Sequence, residues 1–168
     1  EKNVSYFERQ NPTLKIIKSN DDNLYYQYHM TENIIDEFLL NNFNQLYRGR
    51  NISLLDNLDV EIKRSIGELK SDFVKDNLRY RKAAIQMIVN NDNGKKVINQ
   101  HFNKQDILYS QPSYMYLFQE IFANYLSSIQ FNPSDLRQYI YSSHDNFLKY
   151  IKEKDAFLAE NQDLAEII

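Results

Sequence analysis

The chain is predicted to be mainly α. The expected architecture is an irregular bundle of about seven helices over residues 32–168, preceded by a small β-hairpin over residues 13–29, in one helical domain spanning 1–168. Three observations predict this. After residue 31, apolar residues recur at i, i+3 and i+4, the spacing that gives a helix one buried face. Helix start signals precede those stripes at Thr31, Ser53, Pro112 and Asn132-Pro133. The 168 residues are 42% hydrophobic and 26% charged, and a domain of that size buries roughly 70% of its unfolded surface without needing staples.

The elements follow in order. Residues 13–18 (TLKIIK) and 24–29 (LYYQYH) are rich in β-branched and aromatic side chains, and the SNDDN cluster between them reads as a turn. Thr31 then offers an N-cap oxygen to a helix carrying Ile34, Ile35, Phe38, Leu39, Phe43, Leu46 and Tyr47, ending near Gly49. Glu32, Asp36 and Glu37 sit near its positive end. Ser53 caps a second helix through Leu55, Leu58 and Ile62, which Gly67 bends or ends. A third runs from about Asp72 to Val89 and is closed by the NNDNG segment at 90–94, whose residues tolerate positive φ.

A short helix through Val97, Ile98, His101 and Phe102 leads by an irregular link to Pro112. The proline ring fixes φ near the helical value and lacks an N–H that the first turn would leave unpaired. Behind it Tyr114, Met115, Leu117, Phe118, Ile121, Phe122, Tyr125 and Leu126 make a broad apolar stripe, with Phe118 and Phe122 expected in the core. Asn132-Pro133 starts a helix holding Leu136, Tyr139 and Ile140, and residues 145–168 continue in helical spacing. Leu164, Ile167 and Ile168 form an apolar stripe with no stop signal behind it. The chain is therefore expected to be part of a longer one.

Composition excludes several chemistries. Twenty basic and 23 acidic residues are intermixed, for a net charge of −3, so no global positive field exists to draw a nucleic acid. The absence of cysteine removes disulfides, thiolate nucleophiles and thiolate zinc sites together. No apolar run approaches the roughly 20 residues of a transmembrane helix. Gly49, Gly67 and Gly94 are the three glycines and lie far apart, whereas phosphate loops, dinucleotide turns and nucleophile elbows need them clustered.

The remaining candidates each have a structural account. His29, His101 and His144 have Tyr26, Ile98 and Tyr141 three residues before them, so none completes a helical metal pair. Asp21-Asp22, Asp36-Glu37 and Asp56 with Asp59 fall in turns or first helical turns, where turn formation or dipole compensation explains them. The run Arg79-Tyr80-Arg81-Lys82, with Lys95-Lys96, is expected to be a solvated face, because successive helical residues diverge. Tyr25, Tyr26 and Tyr28 read as strand residues covering a core, with an aromatic binding platform as the alternative. No catalytic, cofactor-binding or metal-binding residue is assigned.

Three segments together resemble a known family. Residues 76–88 (DNLRYRKAAIQMI), 98–126 (INQHFNKQDILYSQPSYMYLFQEIFANYL) and 157–168 (FLAENQDLAEII) are similar to the helical region that precedes the thioredoxin domain in TlpA-type thioredoxin-like proteins of Bacteroidetes. The opening part of the chain shares only general character with it. The resemblance implies an exported, periplasmic protein of the cell envelope, with redox activity residing in a CxxC motif of the thioredoxin domain. With no cysteine present, no catalytic family residue carries over. The implied role is a non-catalytic accessory domain without cofactor, whose partners are a downstream thioredoxin-like domain of the same chain and its protein substrates. The competing expectation is an all-α ligand-binding core like that of a TetR-type regulator.

Overall fold

A computed structural model of the chain describes residues 23–90 and 94–168. The described residues are mainly helical and contain no strand. Residues 13–18 lie outside them, but residues 24–29, expected as the second strand of a hairpin, are the opening of α1 (Leu24–Phe43). The N-terminal cap is Asn23 rather than Thr31. Its side-chain oxygen accepts from the Tyr25 N–H (2.9 Å) and the Tyr26 N–H (3.3 Å). Gln27, Thr31, Ile34, Ile35 and Phe38 then form one buried stripe, so helical packing overrides the β-propensity of the tyrosines.

The helix passes into a π-helical turn over Asn44–Arg48 and stops at Gly49. A Cβ at Gly49 would stand 2.7 Å from the Gln45 carbonyl oxygen, which no side chain tolerates. The second helix, α2 (Leu54–Ile66), follows Ser53 and ends at Gly67, whose φ of +76° suits glycine. Its first-turn Asp56 and last-turn Lys63 and Arg64 match the helix dipole.

The spine is α3 (Asp72–Asn90), in contact with α1, the π-helical turn, α4 (Lys95–His101) and α5 (Pro112–Phe122). On one side Ile85 and Val89 join Ile34, Ile35, Phe38, Leu46, Leu55, Leu58 and Ile62 in a mainly aliphatic core. On another, Tyr80 and Ala83 meet Val97, Phe102, Tyr114, Leu117, Phe122 and Leu164. Gly94 precedes α4 with φ +74°, in keeping with the turn predicted there.

Pro112 opens α5 as expected, preceded by Gln111. The buried Gln111 amide donates to the Phe73 carbonyl (3.3 Å) and lies 3.1 Å from Ser113 Oγ, which ties the start of α5 to α3. Past the one-turn α6 (Tyr125–Ser128), Asn132-Pro133 starts α7 (Pro133–Ile140), with Asn132 accepting from the Ser134 N–H. The C-terminal part divides into α8 (His144–Lys154), α9 (Ala156–Glu160) and α10 (Gln162–Ile167), more segments than its unbroken spacing predicted. The break is a cap. Asp155 ends α8 and accepts the Leu158 N–H (2.8 Å) to begin α9.

Candidate functional site

Several clefts open among the described residues, and two of them differ in chemistry. The first lies along α3, where Lys75, Arg79, Lys82 and Gln86 fall at i, i+4, i+7 and i+11 and so share one face. The short helix α4 brings Gln100 and His101 against that face, and the cleft holds about 330 Å³. Its walls are mixed, since Leu69, Leu78 and Ala83 contribute apolar surface. The charged residues lining it are Lys75, Arg79, Lys82 and Asp59; with Asp72, the partner of Lys75, the three cations face two carboxylates, a local excess of one positive charge on a chain whose net charge is −3.

The cations are held differently. Lys75 pairs with Asp72 (2.8 Å) and Lys82 with Asp59 (2.5 Å). Arg79 has no carboxylate within ion-pair distance among the described residues. Instead its Nε–H donates to His101 Nδ1 (3.2 Å), and its guanidinium carbon sits 5.3 Å from the Tyr80 ring centroid. His101 is 5% exposed and packs edge-on against Tyr80 at 5.7 Å. Burial, with the Arg79 charge adding to it, pushes His101 down to about 4. The imidazole is therefore neutral at pH 7, and accepting at Nδ1 leaves its proton on Nε2. The outcome is a guanidinium steered through one N–H with its two terminal NH₂ groups left for other partners.

The second cleft is an apolar groove of about 560 Å³ between α5 and α10. Met115, Tyr116, Phe118 and Phe122 form one wall, Ile167 and Ile168 the other. Tyr116 is 54% exposed, while Phe118 is half-buried and Phe122 is buried in the aromatic cluster. Both phenylalanines were expected in the core; only Phe122 lies there, because the stripe on α5 is broader than the surface α3 and α4 cover.

The other sequence candidates are dispersed. His29 packs against the Tyr25 ring at 4.5 Å on α1, and His144 is exposed at the first position of α8. Asp36 pairs with Arg81 (3.0 Å), and Asp56 is exposed in the first turn of α2. Asp21 and Asp22 lie outside the described residues. Among those described, no three histidine, aspartate or glutamate side chains converge to hold a metal ion, and no helix is long and apolar enough to cross a membrane. The Arg79–Lys82 run diverges as predicted but is not the solvated face expected: Tyr80 enters the core, Arg81 turns to Glu32 and Asp36, and Arg79 and Lys82 face the cleft. The cationic face was missed because it skips through the run. Its signal was the spacing 75, 79, 82, 86.

The motifs quoted for the family resemblance are structural here. Tyr80 meets Tyr114 edge-on at 5.1 Å, Pro112 opens α5, and the Asn161 side chain links α9 to the loop after α4. Asn161 accepts from the Lys104 N–H (2.5 Å) and donates to Asn103 Oδ1 (3.2 Å) and the Phe157 carbonyl (2.8 Å). No family model, no curated protein and no solved structure matches the chain.

Proposed function

We propose that the chain is a single non-catalytic helical domain that accompanies a thioredoxin-like domain in an exported protein of the cell envelope, and that the α5–α10 groove docks that domain. The observation that carries the reading is the open apolar groove formed by Met115, Tyr116, Phe118, Ile167 and Ile168, on two helices that fall within the segments carrying the resemblance. An apolar groove open to solvent can seat an apolar segment of a partner. Thiol–disulfide exchange needs a thiolate, and this sequence has no cysteine, so redox chemistry in such a protein belongs to the partner domain. The described clefts are open to solvent and aromatic rings fill the space between α3 and α5. That favours docking over the enclosed apolar cavity a ligand-binding regulator core requires.

The test is made on the full-length protein. Its coding sequence is expected to continue past Ile168 into a domain bearing a CxxC motif. In that protein, Tyr116→Glu should speed hydrogen exchange at α5 and α10 amides without changing global stability. A coding sequence with no such domain, or exchange unaltered by the substitution, overturns the proposal.

A further inference from the structure

The α3–α4 cleft has a different chemistry from the groove, and it does not depend on the docking role. We propose that it binds a small organic phosphate monoester, with the Arg79 guanidinium as anchor, Lys75 and Lys82 as flanking charges, and the apolar wall of Leu69 and Leu78 against the organic part. A ready-oriented fork is the first ground. Arg79 spends Nε on a buried imidazole rather than on a carboxylate, and its terminal NH₂ pair suits two oxygens of one oxyanion. The charge balance is the second. Asp72 pairs with Lys75 and Asp59 with Lys82, which leaves the Arg79 charge without a carboxylate among the described residues, and two ammonium groups that a dianionic phosphate can share. Size and lining are the third. About 330 Å³ with Leu69, Leu78 and Ala83 on its walls is at the small end of ligand clefts, large enough for a compact organic group and in excess of what inorganic phosphate fills.

Lys82 is engaged by Asp59 but not sequestered, since its side chain is 20% exposed and that of Asp59 50%. A phosphate in the cleft can therefore share the ammonium with the carboxylate. Gln100 borders the same space from α4 and supplies an amide donor beside the fork. His101 keeps the fork in place. Its Nδ1 stays an acceptor throughout the neutral range because the ring is buried beside the guanidinium.

Phenyl phosphate is the probe, followed by amide chemical shifts of the isotope-labelled protein, with benzoate and inorganic phosphate as the comparison ligands. Phenyl phosphate should shift amides of α3 around Arg79 and of Gln100 and His101, with a low-millimolar or tighter Kd, and more tightly than either comparison ligand. Arg79→Gln should weaken it about tenfold or more. Arg79→Lys, which keeps the charge and loses the fork, should also bind more weakly than the native chain, while Arg64→Gln on exposed α2 should bind as the native chain does. Should Arg79→Gln perturb the fold, the native shift map and the Arg79→Lys variant decide. Shifts absent from these amides, equal binding by native and Arg79→Lys chains, or benzoate or inorganic phosphate binding as tightly as phenyl phosphate would each overturn the proposal.

Discussion

The two cores that share α3 are closed by different materials. Around α1 and α2 the enclosed side chains are branched aliphatics with one phenylalanine, Phe38. Around α4 and α5 half of them are rings, with half-buried Phe118 and Tyr125 packed against these: Phe102 lies 5.0 Å from Tyr114 and 5.3 Å from Phe122, and Phe122 lies 4.9 Å from Phe118 and 5.2 Å from Tyr125. Branched aliphatic chains interdigitate to crystal-like density with little waste. Rings are stiff plates that meet edge-on or tilted, and at the border of such a cluster flat faces are left uncovered. The α5–α10 groove borders this aromatic core, and the α3–α4 cleft lies where the two cores meet, its Leu69 and Leu78 packed on the aliphatic side and its Ala83 on the aromatic one. The difference teaches that the region carrying most of the packing motifs is also the one left with surface to bind something.

Truncation inside each core breaks or sharpens this contrast most strongly. Phe122→Ala is expected to cost about 3–5 kcal/mol, the range for deleting a filled aromatic site, because four neighbouring rings cannot collapse into the space. Leu58→Ala should fall toward the lower part of the 2–5 kcal/mol range for Leu→Ala, as flexible aliphatic neighbours relax around it. Phe118→Ala, half-buried on the groove, should cost only about 1–2 kcal/mol. Urea denaturation of the three variants measures all of this. Equal losses at Phe118 and Phe122 would mean that the groove wall is part of the closed core.

Much of this division was legible in the sequence, and the failures have physical causes. Local rules worked where one residue decides the backbone: Pro112 and Pro133 at helix starts, Gly49, Gly67 and Gly94 at turns. They failed at Thr31, which is fully buried inside α1 with its hydroxyl unpartnered. A capping residue and a small core residue look alike until the neighbours are known, and here Asn23 took the cap. Tyr25, Tyr26 and Tyr28 misled because β-propensity is a statement about packing environment, and Tyr28 finds its environment against Phe73 at 5.9 Å, across from α1. The cationic cleft needed His101, 22 residues from Arg79, and no linear pattern connects them.

A second test uses pH and acts on the aromatic side alone. The His101 pKa is depressed to about 4 in the folded chain, against an ordinary value near 6.5 when unfolded. Above pH 6.5 both states hold a neutral ring and the group contributes nothing to pH dependence. Below it the unfolded chain takes up a proton that the folded chain refuses. Stability is therefore lost as pH falls from 6.5 toward 4, by up to about 3 kcal/mol. Carboxylate titration overlaps the lower part of this window, so the measurement is the difference between the native chain and His101→Gln. The native chain should lose more stability between pH 6.5 and 4.5 than the variant, with exchange protection falling in α4 and α5 before α1 and α2. Parallel pH profiles for the two would show that His101 is protonated as readily in the folded chain as in the unfolded one.

The smallest expected effects separate the polar links of the two regions. On the aliphatic side α1 and α3 are joined by charge: Arg81 pairs with Asp36 at 3.0 Å and faces Glu32 at 3.6 Å, and Asn77 donates to Glu32 at 2.6 Å. On the aromatic side the link is the buried amide of Asn161, which satisfies the Lys104 N–H, Asn103 Oδ1 and the Phe157 carbonyl at once. Asn161→Ala strands a donor and acceptors in poorly hydrated surroundings, so it should cost about 1–3 kcal/mol with little dependence on salt. Asp36→Asn should cost no more than about 0.5 kcal/mol, because the Asp36 side chain is 69% exposed and Arg81 keeps Glu32. At 1 M salt the Debye length falls to about 3 Å, and that small cost should vanish. Denaturation of both variants at low and high salt decides the matter. An Asp36→Asn loss that persists at high salt would mean that the pair acts through a fixed hydrogen bond, and that both regions are stitched by geometry rather than one of them by charge.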